Sequence, residues 1–101
     1  MDKLKGILVE RGYMGVFETD YTLENLQELV EGDIEIAHNK DFVIVCNEDG
    51  LSKGFPLNRL GLWGKAFVLK LNYDTGNLVS LSEAEIETVQ EEIKRNAFMN
   101  K

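Results

Sequence analysis

Apolar positions in much of this chain follow a two-residue period, which is typical of β-strands. Residues 33–37 alternate strictly, with Ile34 and Ile36 on one side and acidic residues on the other. Residues 42–46 form an unbroken run rich in β-branched side chains, as expected of a central strand. The segment 51–59 contains the single proline, which favours an ordered loop or a short edge strand. Further strands are predicted over residues 3–10, 14–18, 65–71 and 78–81.

Two segments have a helical period instead. Leucines and a valine recur at helical spacing over residues 23–31, and Thr22 is a suitable N-cap for that helix. Gly32 stands where a left-handed residue would end it. A longer helix is predicted over residues 83–97, because it opens with a serine followed three residues later by a glutamate, the spacing of a capping box.

These elements predict an α+β fold for a single domain over residues 1–101. We expect a mostly antiparallel sheet of about five to six short strands with two helices, the longer one C-terminal. No apolar run exceeds about five residues, far short of the ~20 needed to span a bilayer. The single cysteine excludes an internal disulfide and fits a reducing cytoplasm.

Charge is unevenly distributed along the chain. The formal net charge is −7, and residues 1–50 carry twelve acidic residues against four basic ones. Such an acidic chain is a poor candidate for non-specific nucleic-acid binding, which depends on many lysines and arginines. Residues 51–72 contain no acidic residue but four basic ones, which is compatible with one small anionic ligand.

The residues that carry metal or nucleophilic chemistry are sparse. His38 is the only histidine and Cys46 the only cysteine, so a zinc site of the Cys/His kind cannot be assembled within one chain. Cys46 lies within an apolar run, which favours a buried side chain over a reactive thiolate. No glycine motif has the spacing of a phosphate-binding loop. We therefore expect a protein that is not an enzyme and that has no metal site and no cofactor.

The loop after the central strand contains the first candidate site. Arginine can hold a phosphate or carboxylate with two parallel hydrogen bonds, asparagine can bind a base or amide edge, and tryptophan offers a stacking surface. The same residue types could equally hold a long loop in place, with Asn58 bonded to backbone and Trp63 in the core. The candidate ligand-binding residues are Asn47, Glu48, Lys53, Asn58, Arg59 and Trp63.

The acidic half of the chain contains the second candidate site. Between Glu10 and Asp49 there are eleven acidic residues and only two basic ones. Such a surface could imitate nucleic acid and occupy a basic groove on another protein, or it could be a solvated face that keeps the protein in solution. The candidate partner-binding residues are Glu24, Glu28, Glu31, Asp33 and Glu35.

Three segments of the chain carry a resemblance to a known family: LENLQELVEGDIEIA, VCNEDGLSKGFPLNR and GKAFVLKLNYDTGNLVSLSEAEIE. They resemble a domain of unknown function, DUF3846, whose members occur in bacteriophages, mobile elements and bacteria. The resemblance covers about residues 20–90 and implies a genetic setting, since the family has no assigned activity. The matching positions are Gln27, Gly32, Ile34, Glu35, Asn47, Glu48, Gly50, Pro56, Asn58, Arg59 and Gly64.

Three functions are compatible with these features. The first is a phage-type counter-defence protein in the cytoplasm of a bacterial host that sequesters a small anionic, nucleotide-derived immune signal. The second is an acidic inhibitor that binds a host defence nuclease as some anti-CRISPR proteins do. The third is a structural or regulatory partner module, in which a sheet edge or helix face could form a homo-oligomer. In none of these do we expect direct nucleic-acid binding or membrane binding.

Overall fold

A computed structural model of the chain describes residues 3–99. It has the predicted α+β fold, an antiparallel sheet of six strands with two helices, of which the longer is C-terminal. The elements in chain order are β1 (Lys3–Glu10), β2 (Tyr13–Asp20), α1 (Leu23–Val30), β3 (Ile34–Asn39), β4 (Phe42–Asn47), β5 (Ala66–Leu71), β6 (Leu78–Val79) and α2 (Glu83–Lys94). Neither of the two helices is both long and apolar enough to cross a membrane.

The sheet has the strand order β2-β1-β5-β4-β3, and β6 pairs with β5. All pairings are antiparallel, so the two hairpins β1–β2 and β3–β4 are joined through β5, which lies between them. β4 and most of β5 are buried, whereas β2 and β3 are the edge strands. The unbroken apolar run that predicted a central strand therefore forms one.

Each face of the sheet carries a hydrophobic core and one helix. Residues of β4 alternate between the two cores, because successive side chains of a strand point to opposite faces. Ile44 and Cys46 belong to the core that includes α2, whereas Val43 and Val45 belong to the core that includes α1. The two helices consequently lie on opposite faces, and the sheet is the middle layer.

Both predicted helix starts are confirmed by hydrogen bonds. The Asn25 backbone amide donates to the Thr22 hydroxyl at 3.1 Å. At the second helix, the Glu85 amide donates to the Ser82 hydroxyl at 3.2 Å, and the Ser82 amide donates to the Glu85 carboxylate at 2.8 Å. These caps satisfy amides that the first turn leaves without intrahelical partners.

Both helix ends differ from their predictions. Glu31, with φ 63°, is the left-handed residue after α1, whereas Gly32 has a φ of 156°. α2 ends at Lys94 because Asn96 takes a left-handed φ of 57°, so the segment to residue 97 is not helical. This turn directs the chain back to the core, where the Phe98 ring packs against Phe42 with 5.7 Å between ring centroids.

Three strands also have bounds that differ from the predicted ones, because pairing with a neighbouring strand determines where a strand begins and ends. β2 extends over Tyr13–Asp20, beyond the predicted 14–18, because all eight of its residues pair with β1. β3 extends to Asn39 for the same reason, since Asn39 pairs with Phe42. β6 contains only two residues instead of the predicted four.

Candidate functional site

The segment between β4 and β5 is held in place by Asn58. Its side-chain amide nitrogen donates to the Gly64 carbonyl at 2.8 Å. Its side-chain oxygen accepts from the backbone amides of Leu60 at 2.8 Å and Leu62 at 3.3 Å. The side chain is buried, so these three bonds replace the hydrogen bonds it would make with water. Asn58 therefore fixes the shape of the loop from within.

Asn47 is bonded to the backbone in a similar way. Its side-chain nitrogen donates to the Val30 carbonyl at the end of α1 over 2.9 Å, and its side-chain oxygen accepts from the Asp49 amide at 2.7 Å. The first bond satisfies a carbonyl of the last helical turn, which has no intrahelical partner. Because Asn47 is buried, its amide joins α1 to the end of β4.

The remaining candidate ligand-binding residues lie in different places. Glu48 and Trp63 line one cavity, whereas Arg59 is exposed in a separate recess of about 370 Å³ with Gly12, Tyr13 and Met14. The Lys53 ammonium donates to the Glu31 carbonyl at 3.3 Å. The structure therefore brings Asn47, Glu48 and Trp63 to one cavity and separates Arg59 from them.

Trp63 is 39% exposed and does not fill the core. It lines a cavity of about 220 Å³ at the junction of β3, β4 and the loop. Besides Asn47 and Glu48, the lining contains Glu35, a candidate partner-binding residue, and four residues that the sequence pattern did not assign to any site: Cys46, Gly50, Leu51 and Leu62. The exposed Leu51 was a possible signal, since a leucine in an otherwise polar turn segment had no core role to explain it.

Cys46 contributes an uncharged wall to this cavity. Burial, and secondarily the Glu35 carboxylate, raise the pKa of its thiol. The thiol donates to the Glu35 carbonyl at 3.6 Å. A raised pKa keeps the sulfur protonated at neutral pH, and a protonated thiol is a poor nucleophile. Among residues 3–99 no group of three or more His, Cys, Asp or Glu residues is placed to hold a metal ion.

Four of the five candidate partner-binding residues share one groove. Glu24, Glu28, Glu31 and Asp33 line a shallow depression of about 480 Å³ beside α1, and we call it the acidic groove. Glu35 lies apart from them, on β3 beside the Trp63 cavity. The helical period explains the grouping, since Glu24 and Glu28 are one turn apart and face the same side.

The acidic groove has an unfavourable arrangement of charge. Glu24 and Glu28 repel each other at a spacing of four residues. Glu24, in the first turn of α1, is favoured by the helix dipole, whereas Glu28 lies in the last turn, where the dipole disfavours acids. No basic residue lies in that turn to compensate. In the described part of the chain neither glutamate has an ion pair, and Glu31 has one, with Lys65 at 3.6 Å. Glu31 also takes the left-handed conformation that glycine prefers.

Comparison with known proteins places the chain in a family. A family model described as "Domain of unknown function (DUF3846)" matches residues 4–94, so the chain belongs to that family. No curated protein and no solved structure matches the chain.

Proposed function

We propose that this domain is a non-enzymatic protein-binding module whose acidic groove binds a basic surface of another protein. The observation that supports this proposal most directly is that the acidic groove lowers the stability of α1, the helix that forms it. Glu28 is an acid in the last turn of a helix with no basic residue in that turn, which lowers stability by about 0.3–1 kcal/mol, and Glu31 adds the cost of its left-handed conformation. Local rules of this kind are typically broken at functional sites.

The partner we propose is a nuclease of a bacterial host defence system, in the host cytoplasm. Nucleases bind nucleic acid through grooves rich in lysine and arginine, and a row of carboxylates offers such a groove a substitute for phosphates. The resemblance to this family implies a setting in bacteriophages, mobile elements and bacteria, and that setting favours a counter-defence role. The module would act by occupying the groove, which requires no reaction.

Charge reversal at the groove tests this function. The protein is mixed with a panel of purified CRISPR effector nucleases, and cleavage of their DNA target is measured at increasing salt. We expect at least one nuclease to be inhibited, less strongly as salt screens the charges. The double variant Glu24→Lys/Glu28→Lys should lose the inhibition.

The matched control for that experiment is Glu87→Lys/Glu91→Lys. These two glutamates are exposed on α2, on the opposite face of the sheet, with the same four-residue spacing and the same change in net charge. The control variant should inhibit as well as the unmodified protein. Inhibition that is insensitive to salt, equal loss in both double variants, or no inhibition of any nuclease would contradict the proposal.

A second candidate function is binding of a small anionic ligand such as a nucleotide-derived immune signal. The favouring observation is the Arg59 recess, where an exposed guanidinium without an ion pair among residues 3–99 lies near the half-exposed Tyr13. Arginine and an aromatic ring together suit a phosphate joined to a base.

Native mass spectrometry tests this second candidate directly. The protein is mixed with a panel of cyclic and ADP-ribose-type nucleotides, and the mass reports both bound ligand and oligomeric state. Arg59→Gln should abolish a bound species, whereas Arg95→Gln, at the exposed end of α2, should retain it. No bound nucleotide, or binding unaffected by Arg59→Gln, would contradict the candidate site.

A further inference from the structure

The Trp63 cavity is surrounded by exposed apolar side chains. Leu51 is 63% exposed and Trp63 39% exposed, and both line the cavity. Leu57, 52% exposed, pairs with Trp63 through an isolated antiparallel bridge. Single exposed apolar residues are ordinary, but a cluster next to polar residues is typical of an interaction surface.

The loop that carries Trp63 is held rigidly although its tryptophan is not buried. A side-chain carbon at Gly50 would lie 3.0 Å from the Trp63 carbonyl carbon, so the two backbones are in close contact. The buried Asn58 amide fixes the same loop through three backbone bonds. A side chain presented on a rigid loop loses little conformational entropy when a partner binds.

The cavity has the size and polarity for one apolar side chain. Its volume of about 220 Å³ is close to that of a single large residue. Leu62 and the neutral Cys46 thiol contribute apolar walls, and the carboxylates of Glu35 and Glu48 lie at its border. An apolar side chain would therefore fill the centre of the cavity.

β3 begins directly after Asp33, which lines the acidic groove, and its second residue, Glu35, lines the cavity. β3 pairs with β4 on one side, and no strand of the described residues pairs with its other side. Ile34 packs against the core on the α1 face, whereas Glu35 pairs with Cys46 of the α2-face core and lines the cavity. The acidic groove lies along α1, on one face of the sheet, whereas the cavity contains Cys46 and Leu62 of the core on the other face.

We propose that the β3 edge binds an extended segment of the partner protein in which basic residues alternate with apolar ones. Successive side chains of an added strand point to opposite faces, so its lysines or arginines would reach the acidic groove and one large apolar side chain would enter the Trp63 cavity. The inference rests on the proposed function and specifies the chemistry of its partner segment.

A synthetic peptide tests the inference with the complete chain. The probe is an eight-residue peptide of alternating lysine and valine with one valine at the centre replaced by leucine. Trp63 is the only tryptophan, so its fluorescence reports on the cavity alone. We expect a blue shift of the emission on binding and chemical-shift changes in the backbone amides of β3. Peptides with glycine for the central leucine, or glutamate for every lysine, should bind at least about tenfold more weakly.

Variants of the protein complete the test. Trp63→Ala should weaken peptide binding at least about tenfold, whereas Tyr73→Ala, at a more exposed aromatic residue on the β5–β6 turn, should not. Because loss of Trp63 could loosen the loop, Leu51→Ser is a second variant at a side chain too exposed to support the fold. It should also weaken binding.

The outcomes separate this inference from the proposed function. Equal affinity for the leucine and glycine peptides, an unchanged Trp63 emission, or no peptide binding would each overturn the β3-edge inference. Nuclease inhibition that depends on Glu24 and Glu28 would still stand in those cases. The converse result is peptide binding with the expected Trp63 signal that Glu24→Lys/Glu28→Lys does not change, together with nuclease inhibition that this double variant does not change either. It would retain the Trp63 cavity as a binding site and exclude the acidic groove from the interface.

Discussion

Gly50 and Trp63 are in backbone contact across the loop that follows β4. A side-chain carbon at position 50 would approach the Trp63 carbonyl carbon to 3.0 Å and its oxygen more closely still. Backbone atoms cannot move aside as the end of a flexible side chain can. The position of Trp63 beside its cavity therefore depends on the absence of a side chain at Gly50.

Gly50→Ala should destabilise the protein by about 1–3 kcal/mol and move Trp63. The change is measured as the midpoint of urea unfolding, together with a shift in tryptophan emission. Gly15→Ala is the control, because its new carbon would meet the movable hydroxyl end of Tyr13 and not the backbone. Equal losses in the two variants would show that close backbone approach is not the cause.

Glu31→Gly should stabilise the domain by up to about 1 kcal/mol. Glu31 occupies a left-handed conformation that costs a non-glycine residue free energy, and glycine removes that cost. Its exposed ion pair with Lys65, at 3.6 Å, offsets little of the gain. Glu28→Gly, within α1, should not stabilise the domain, because the helix propensity lost with glycine offsets the relieved repulsion with Glu24. Urea unfolding measures both, and a loss of stability in Glu31→Gly would contradict the assignment of strain.

If the acidic groove binds the partner, the stabilised Glu31→Gly variant should also bind it more weakly. Glu31 lines the groove, and glycine removes its carboxylate. Stability and affinity would then change in opposite directions at one residue, as is common where function maintains an unfavourable local structure. The nuclease inhibition assay compares the affinity of Glu31→Gly with that of the unmodified protein. Unchanged inhibition would exclude Glu31 from the interface.

Acid should remove the stability that Glu85 contributes. The hydrogen bond from Lys70, at 2.8 Å, and then the backbone amide of Ser82 hold the pKa of Glu85 below its ordinary value. A carboxyl whose pKa is lower in the folded state stabilises the fold above its unfolded pKa and loses that effect as pH falls through the folded value. Glu85→Gln should therefore be less stable than the unmodified protein at neutral pH.

The difference between the two proteins should shrink as pH falls below about 4. Urea unfolding at a series of pH values measures it. Lys70 gives the alkaline counterpart, because the hydrogen bond to Glu85 raises its pKa, and that contribution is lost as pH rises through the raised value. A constant difference between the unmodified protein and Glu85→Gln from neutral to acidic pH would contradict the assignment.

Asn58→Asp should destabilise the protein by about 1–3 kcal/mol and shift Trp63 emission to the red. The substitution keeps an acceptor for the Leu60 and Leu62 amides. It places a carboxylate oxygen against the Gly64 carbonyl, which accepts a hydrogen bond from Asn58 in the unmodified protein. Asn77→Asp is the control, since Asn77 is exposed and its side chain makes no hydrogen bond in the described residues. A neutral Asn58→Asp would mean that the loop does not depend on the donated bond.

Much of the fold could be predicted because its signals are local. The N-cap at Thr22 and the capping box of Ser82 and Glu85 each lie within four residues, and the hydrogen bonds confirm both. The helix ends were less accurate: Gly32 has the residue type that suits a left-handed cap, but Glu31 takes that conformation. The Glu31 backbone amide donates to the Glu28 carbonyl, and the Gly32 backbone amide donates to the Gln27 carbonyl.

The candidate sites also differ in how much of each could be predicted from local sequence signals. The grouping of Glu24 and Glu28 follows from helical spacing within eight residues, so composition and period sufficed to predict it. The exposed position of Trp63 did not follow, because it depends on the backbone contact with Gly50 and on the hydrogen bonds that Asn58 makes within the loop. Asparagine is a residue type that can bind a ligand. Only the hydrogen bonds of Asn47 and Asn58 to backbone carbonyls show that these two side chains have a structural role.

By itself, the sequence determined the type and order of most helices and strands, the α+β class and the concentration of acidic residues in one half of the chain. These depend on periodicity, capping and composition, which act over a few residues. The tertiary structure alone decided that β5 joins the two hairpins, that α1 and α2 lie on opposite faces, and that Asp33 lines the acidic groove while Glu35, two residues further on, lines the Trp63 cavity. Pairing between distant strands places those features, and the free energy of that pairing comes from side chains that no local window of the sequence brings together.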